Sequence, residues 1–306
     1  MQCLSFRAMG CEMRALMEGE PALVDQELAA VPGWFTTWEQ HLSRFRDDSE
    51  LSLLNRTPDR WTSVSPVLWD VVGTALHAAA MSDGLVSPTV LAALEATGYD
   101  RSFELLSTSG AQHAPAATPP PVMSWWTLQR DAEQQALRLP AGMRLDLGGI
   151  AKGWAAEQAA ARLGRTAPAL VDAGGDIAVS GPLDGGVPWS IGVADPMAPE
   201  ADLELLLLRQ GVVATSGRDY RRWLQAGMWQ HHIVDPRTGT AAVGDTVSAT
   251  VVAPTACDAE VAAKVVMILG SRAGIAWLDA RPVLAGLLVL EDGQVLRSRR
   301  LVEYVA

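Results

Sequence analysis

Strand-like and helix-like segments follow one another along this chain without a regular βαβα rhythm, and that irregularity constrains the fold more than any other feature. Short alternating runs at 2–18, 125–131, 134–140, 143–149, 168–171, 177–179, 189–193, 212–216 and 247–253 predict strands, the first of them a strand or hairpin around Met9 and Gly10. The spacing of Leu28, Trp34, Trp38 and Leu42 predicts a helix from Glu20 to Phe45. Capping residues predict further helices: from Asp48 or Ser49 through Leu54, from Ser65-Pro66 to near Gly84, and from Thr255 to Leu269. Another helix is expected from Ile150 to about Leu163, and three short strands are expected to close the chain. The class is therefore α+β, with mixed antiparallel sheets and helices. Residues 107–121, rich in Pro, Ala and small polar side chains, read as an exposed loop. It would separate two closely joined lobes, roughly 1–106 and 122–306, of a single domain spanning 1–306.

Composition narrows the function classes. The 306 residues are 49% hydrophobic, enough for a full core. A net charge of −11 excludes broad electrostatic attraction to nucleic acid or anionic lipid. A phosphorylated ligand would have to be met locally, by backbone N–H groups, a few cations or a metal. Cys3, Cys11 and Cys257 form no CxxC and no disulfide framework. No apolar run approaches the roughly 20 residues of a membrane span. The start MQCLSFRAMG lacks the basic and apolar regions of a signal peptide, so a cytoplasmic location is expected.

The common dinucleotide, P-loop and zinc-protease signatures are missing. Four Gly- and Asp-rich segments remain. In Leu145-Asp146-Leu147-Gly148-Gly149-Ile150-Ala151-Lys152-Gly153 a strand is expected to run into two glycines and a helix N-terminus, where free N–H groups favour anions. Lys152 in the first helical turn opposes the helix dipole, a conflict that a nearby anion would remove. Asp172-Ala173-Gly174-Gly175-Asp176 suits a hairpin turn. The run His231-His232-Ile233-Val234-Asp235-Pro236-Arg237-Thr238-Gly239 ends in turn chemistry, and a His before it can act as a base or contact phosphate, or be merely structural. On the last helix Glu260 precedes Lys264 by one turn, the favourable order for an ion pair.

Taken in order, Met9-Gly10, SRFRDDSELSLLN, SDGLVSPTV, DLGGIAKGWA, DAGGD, ATSGRDYRRW, HHIVDPRTG and the helix opening TACDA resemble the ApbE family from about Met9 to Gly270. The resemblance implies a T-fold-like α+β arrangement that binds FAD in a groove between lobes. It implies an FAD:protein FMN transferase, which cleaves FAD at the pyrophosphate, releases AMP and joins FMN by a phosphoester bond to Ser or Thr of an acceptor flavoprotein, typically with Mg²⁺. A diverged FAD-binding protein without transfer, or an FAD pyrophosphatase giving FMN and AMP, are the alternatives. Carried over by motif, Met9, Phe45, Leu85, Val86, Ser87, Asp146, Lys152 and Lys264 are the cofactor-binding residues, Gly149 and Glu260 the metal ligands, and His232 the catalytic base. Two departures stand out. Val86-Ser87-Pro88-Thr89 replaces the usual FDPT, removing a carboxylate, and Glu260 and Lys264 replace an Asp and a Thr that would ligate the metal. A protonated Lys offers Mg²⁺ no lone pair.

Overall fold

The computed structural model describes residues 1–106 and 119–305, so most of the predicted loop at 107–121 lies outside the described residues. Two compact units make up the chain: one from Met1–Thr36, Lys152–Asp219 and Gly244–Ala306, the other from Thr37–Ala151 and Tyr220–Val243. The divide is thus not the predicted one at the Pro/Ala-rich stretch. The reason lies in the first unit's sheet, which draws its strands from three separate stretches of chain.

That sheet has eight strands in the order Gln2–Ala8, Cys11–Met17, Ala169–Ala173, Ile177–Val179, Gly211–Gly217, Thr246–Ala253, Ala285–Leu290 and Val295–Arg297. Every neighbouring pair is antiparallel. The first two strands are joined at Met9-Gly10, with φ of 49° and 72°, the left-handed pair that a two-residue hairpin turn requires. The strand Trp189–Asp195 pairs with Ala198–Leu208, a strand not expected from its Pro- and acid-containing start. Trp189, Ile191, Leu206 and Leu208 of this hairpin share a buried cluster with Val213, Val252 and Leu287 of the sheet. Each such side chain contributes about 1.5–3 kcal/mol when fully buried. The helix Ala256–Leu269 packs on Gly211–Gly217 and Thr246–Ala253, whose alternate residues Ala214, Ala249 and Val251 are buried outside that cluster, so these strands are covered on both faces.

In the second unit, Ser49 caps Glu50–Asn55 and Ser65 caps Pro66–Met81, each side chain accepting from an N–H three residues on, as predicted. A small sheet joins Thr62–Ser63, Ala136–Arg138 and Gln129–Asp131. Hairpins follow at Arg222–Gln225 with Met228–His231 and at Val234–Asp235 with Thr240–Ala241.

Three predicted strands need correction. Residues 143–149 form none, because Asn55 donates to the Leu145 carbonyl at 2.9 Å and accepts from its N–H at 2.8 Å, while the Asp146 N–H goes to Pro88 O. Backbone groups met in this way have nothing left for a neighbouring strand. Within 125–131 only Gln129–Asp131 is strand, Trp125–Thr127 being a 3₁₀ turn. At the C-terminus a helix, Ser271–Asp279, precedes two strands rather than three. Asp245, distant in sequence, accepts from both the N–H and the hydroxyl of Ser271 and holds the helix start.

Candidate active site

In the Thr37–Ala151 unit the centre is a stacked cation. Just past the helix Pro21–Leu42, the Arg44 guanidinium lies 4.1 Å from the centroid of Phe45 and 4.6 Å from that of Tyr99. Its Nε meets Asp146 Oδ2 at 2.6 Å, with the side chains only 6% and 12% exposed. A delocalised planar cation suits both the rings and the carboxylate. Arg44 Nη2 is buried and has no hydrogen-bond partner among the described residues. Tyr99 stacks on Trp223 at 5.2 Å, and the Trp223 indole donates to Thr97 O at 2.6 Å. Burial pushes the Tyr99 hydroxyl pKa up, against the pull of Arg221 and Arg44. Between them Gly98 has φ of 91°, and a Cβ there would lie 3.2 Å from the indole nitrogen.

Asp146 is also bound from its own turn, Gly148 N–H donating to Oδ1 at 3.0 Å. Its N–H bond to Pro88 O ties it to the segment of Leu85, Val86 and Ser87. Ser82 Oγ accepts from the Val86 N–H, and Ser87 Oγ lies 2.8 Å from Thr89 Oγ1, which donates to Met123 O. Gly149 lies in the turn before Ala151.

The two histidines occupy different surroundings. His231 ends a strand, with Nδ1 accepting from the Ile233 N–H at 3.3 Å, so Nε2 is the donor to Ala242 O at 3.0 Å. Both ring nitrogens of His231 are thus engaged with backbone groups. His232 follows at the bend, half-buried. Beyond it Asp235 takes a two-pronged ion pair from Arg237. Burial opposes the charge on Asp235, but these bonds outweigh it and hold its carboxyl below the usual range.

In the other unit Lys152 lies in the first turn of the helix Ala151–Leu163, its Nζ on the Asp176 carboxylate and 3.5 Å from Ala173 O. The anion that the helix dipole calls for is thus Asp176, from the hairpin whose turn glycines, Gly174 and Gly175, have φ of 68° and 95°. Burial alone would lower the Lys152 pKa, but Asp176 and Glu260 outweigh it and the net shift is upward. Glu260 lies beneath the same helix: a Cβ on Gly153 would stand 2.9 Å from its carboxyl carbon. It is 1% exposed, and its Oε2 has no hydrogen-bond partner among the described residues. Burial pushes the Glu260 carboxyl up to about 8, with Lys264 pulling against it and the charge of Asp176 adding to it. Lys264, half-buried, does not take the expected side-chain ion pair; its Nζ reaches the Glu260 backbone oxygen at 3.4 Å.

Residues 9–288 match the model of the ApbE family. The chain belongs to the ApbE family. It is 31% identical over 323 residues to the FAD:protein FMN transferase of Treponema pallidum, an overlap of 96% of this chain and 85% of that protein. It is 29% identical to the FAD:protein FMN transferase of Vibrio cholerae over 82% of this chain and 75% of that protein. The crystal structure of the ApbE protein of Thermotoga maritima superposes with a TM-score of 0.87 at 27% identity, covering 100% of this chain and 99% of the other. The flavin transferase ApbE of Vibrio cholerae shares the fold, with a TM-score of 0.81 at 23% identity and 99% of each chain covered. These likenesses establish the expected α+β ApbE architecture.

Within one unit, then, the ApbE fold gathers Asp146 with the Leu85–Ser87 segment and puts Phe45 beside Asp146's partner. Within the other it gathers Lys152, Glu260 and Lys264, with Met9 at the hairpin turn. Sequence reasoning passed over Arg44, Tyr99, Trp223 and Asp176. The signals for two of them were at hand: Arg44 stands inside SRFRDDSELSLLN, and Asp176 closes the Gly-Gly turn.

Proposed function

We propose that this ApbE chain is an FAD:protein FMN transferase. The reading is carried by its likeness to the Treponema pallidum protein of that name, which extends over 96% of the chain. FAD is bound through Met9, Phe45, Leu85, Val86, Ser87, Asp146, Lys152 and Lys264. The hydroxyl of a Ser or Thr on an acceptor flavoprotein attacks the FMN-side phosphorus. His232 removes the hydroxyl proton, the bond from that phosphorus to the bridging oxygen breaks, and AMP leaves. The new phosphoester carries FMN. The protein's share of the rate comes from holding the reactants and from positive charge fixed where the phosphates lie.

The expected Mg²⁺ site does not suit the residues present. Among the described residues no group of three or more His, Cys, Asp or Glu is placed to hold a metal ion. Glu260 offers one spare oxygen, but Lys264 stands one helical turn away and Lys152 acts on the same carboxylate. A small divalent ion takes about six oxygens, and the like charge of an ammonium beside it opposes its binding. Incubation with FAD, with and without a candidate acceptor, followed by nucleotide chromatography, tests the function. AMP formed only with acceptor supports transfer. AMP and free FMN without acceptor would make the chain a pyrophosphatase, and bound FAD without AMP a binding protein.

A further inference from the structure

Two lysines and two carboxylates meet at the start of the helix Ala151–Leu163. Lys152 is paired with Asp176, whose side chain is 4% exposed, so that pair is complete. Glu260 is not. Its carboxyl group is packed against Gly153 and beside the side chain of Asp176, with Oε2 lacking any hydrogen-bond partner among the described residues. A buried carboxyl oxygen without a hydrogen-bond partner is costly, and an ammonium brought beside it relieves that cost. Lys264 is one turn along the same helix, and its Nζ makes a long bond to the Glu260 carbonyl oxygen. It needs only a side-chain rotation to turn toward that carboxylate. Being half-buried, it can still present the ammonium outward.

We propose that Lys264 and Lys152, seated on Glu260 and Asp176, are the built-in cation that meets the pyrophosphate of FAD in this chain, in place of a divalent metal. The inference rests on FAD being the ligand. An ammonium is a compact point charge with three donors, so it can hold a carboxylate oxygen and a phosphate oxygen at once. A metal brought to the same place would face the like charge of Lys264. Replacing Lys264 by Thr removes that repulsion and adds a neutral oxygen, so the variant exchanges one kind of cation for the other.

The test measures FAD affinity by flavin fluorescence quenching, in EDTA and in Mn²⁺, for wild type, Lys264→Thr and Lys264→Arg. Bound Mn²⁺ is followed in parallel by electron paramagnetic resonance. Wild type is expected to bind FAD equally well in EDTA and in Mn²⁺, taking up no more Mn²⁺ than free FAD does. Lys264→Thr should lose about 10- to 100-fold in affinity in EDTA, the scale of a charged hydrogen bond, and recover it with Mn²⁺. Lys264→Arg keeps the charge and should stay independent of metal. Saturable Mn²⁺ uptake by the wild-type complex, a tenfold or greater loss of wild-type affinity in EDTA, or wild-type affinity of Lys264→Thr in EDTA would each overturn the inference alone. Failure of every protein to bind FAD under any condition would overturn the FAD reading, and this inference with it.

Discussion

Arg44 Nε stands 2.6 Å from Asp146 Oδ2, and through that pair the segment after the first long helix is fixed to the turn that precedes Ala151. The two residues are 102 positions apart, yet each is almost fully removed from solvent. Phe45 and Tyr99 lie against the guanidinium.

Removing one member of a buried pair leaves the other uncompensated, which costs about 3–5 kcal/mol. Arg44→Ala is therefore expected to lower the melting temperature clearly and to weaken FAD binding. Arg44→Lys should recover little of either, because an ammonium neither stacks on the rings nor matches the carboxylate edge. Thermal unfolding and a flavin titration on both variants check this. Wild-type behaviour of Arg44→Lys would show that charge alone matters there.

The adjacent histidines should separate by kind of defect. His232→Ala is expected to leave FAD affinity nearly intact and cut turnover by about 10²–10⁴-fold, the range of a positioned general base. His231→Ala loses the bonds to Ile233 N–H and Ala242 O, and should instead cost about 1 kcal/mol of stability with a smaller change in turnover. Measuring kcat, flavin affinity and unfolding for both decides the matter, and equal kinetic defects would remove His232 from its role.

Asp235 gives a pH signature. Its carboxyl is held below the ordinary value of 3.8, so the unfolded chain takes up the proton first as pH falls. The stabilisation is complete above about pH 4–5 and is lost as the pH drops through the lower folded value. Asp235→Asn should then be less stable than wild type by about 1 kcal/mol at pH 7, a modest figure because Arg237 is more than half exposed. The gap should close toward pH 2 in denaturant titrations. A gap that widened in acid would contradict the assignment.

Gly153 tests the packing of Glu260. A methyl group there would sit 2.9 Å from the carboxyl carbon, so Gly153→Ala must displace the carboxylate. A loss of about 1–3 kcal/mol is expected, and Glu260→Ala in the same background should relieve most of it. Strictly additive losses would mean that the two residues do not press on one another.

Most helices were legible in the sequence because their starts are local events. Ser49, Ser65 and Thr255 each announce a cap, and each accepts the expected N–H. What sequence hid is long-range. Residues 143–149 alternate like a strand but are held by Asn55, and the helix at Ser271 depends on Asp245. The candidate site shows the same split. Motif order pointed to Asp146, Lys152 and Glu260; Arg44 and Asp176 stand inside two of the same motifs, but that they pair with Asp146 and Lys152 becomes visible only when the chain has folded. The anion wanted beside Lys152 was anticipated; that the protein itself supplies it was not.

The most direct test of FMN transfer is the intact mass of a candidate acceptor flavoprotein after incubation with this chain and FAD. One FMN per acceptor is expected, mapped to a Ser or Thr, with AMP in equal amount and loss of the adduct when that residue becomes Ala. An acceptor of unchanged mass while FAD is converted to free FMN and AMP would contradict the account.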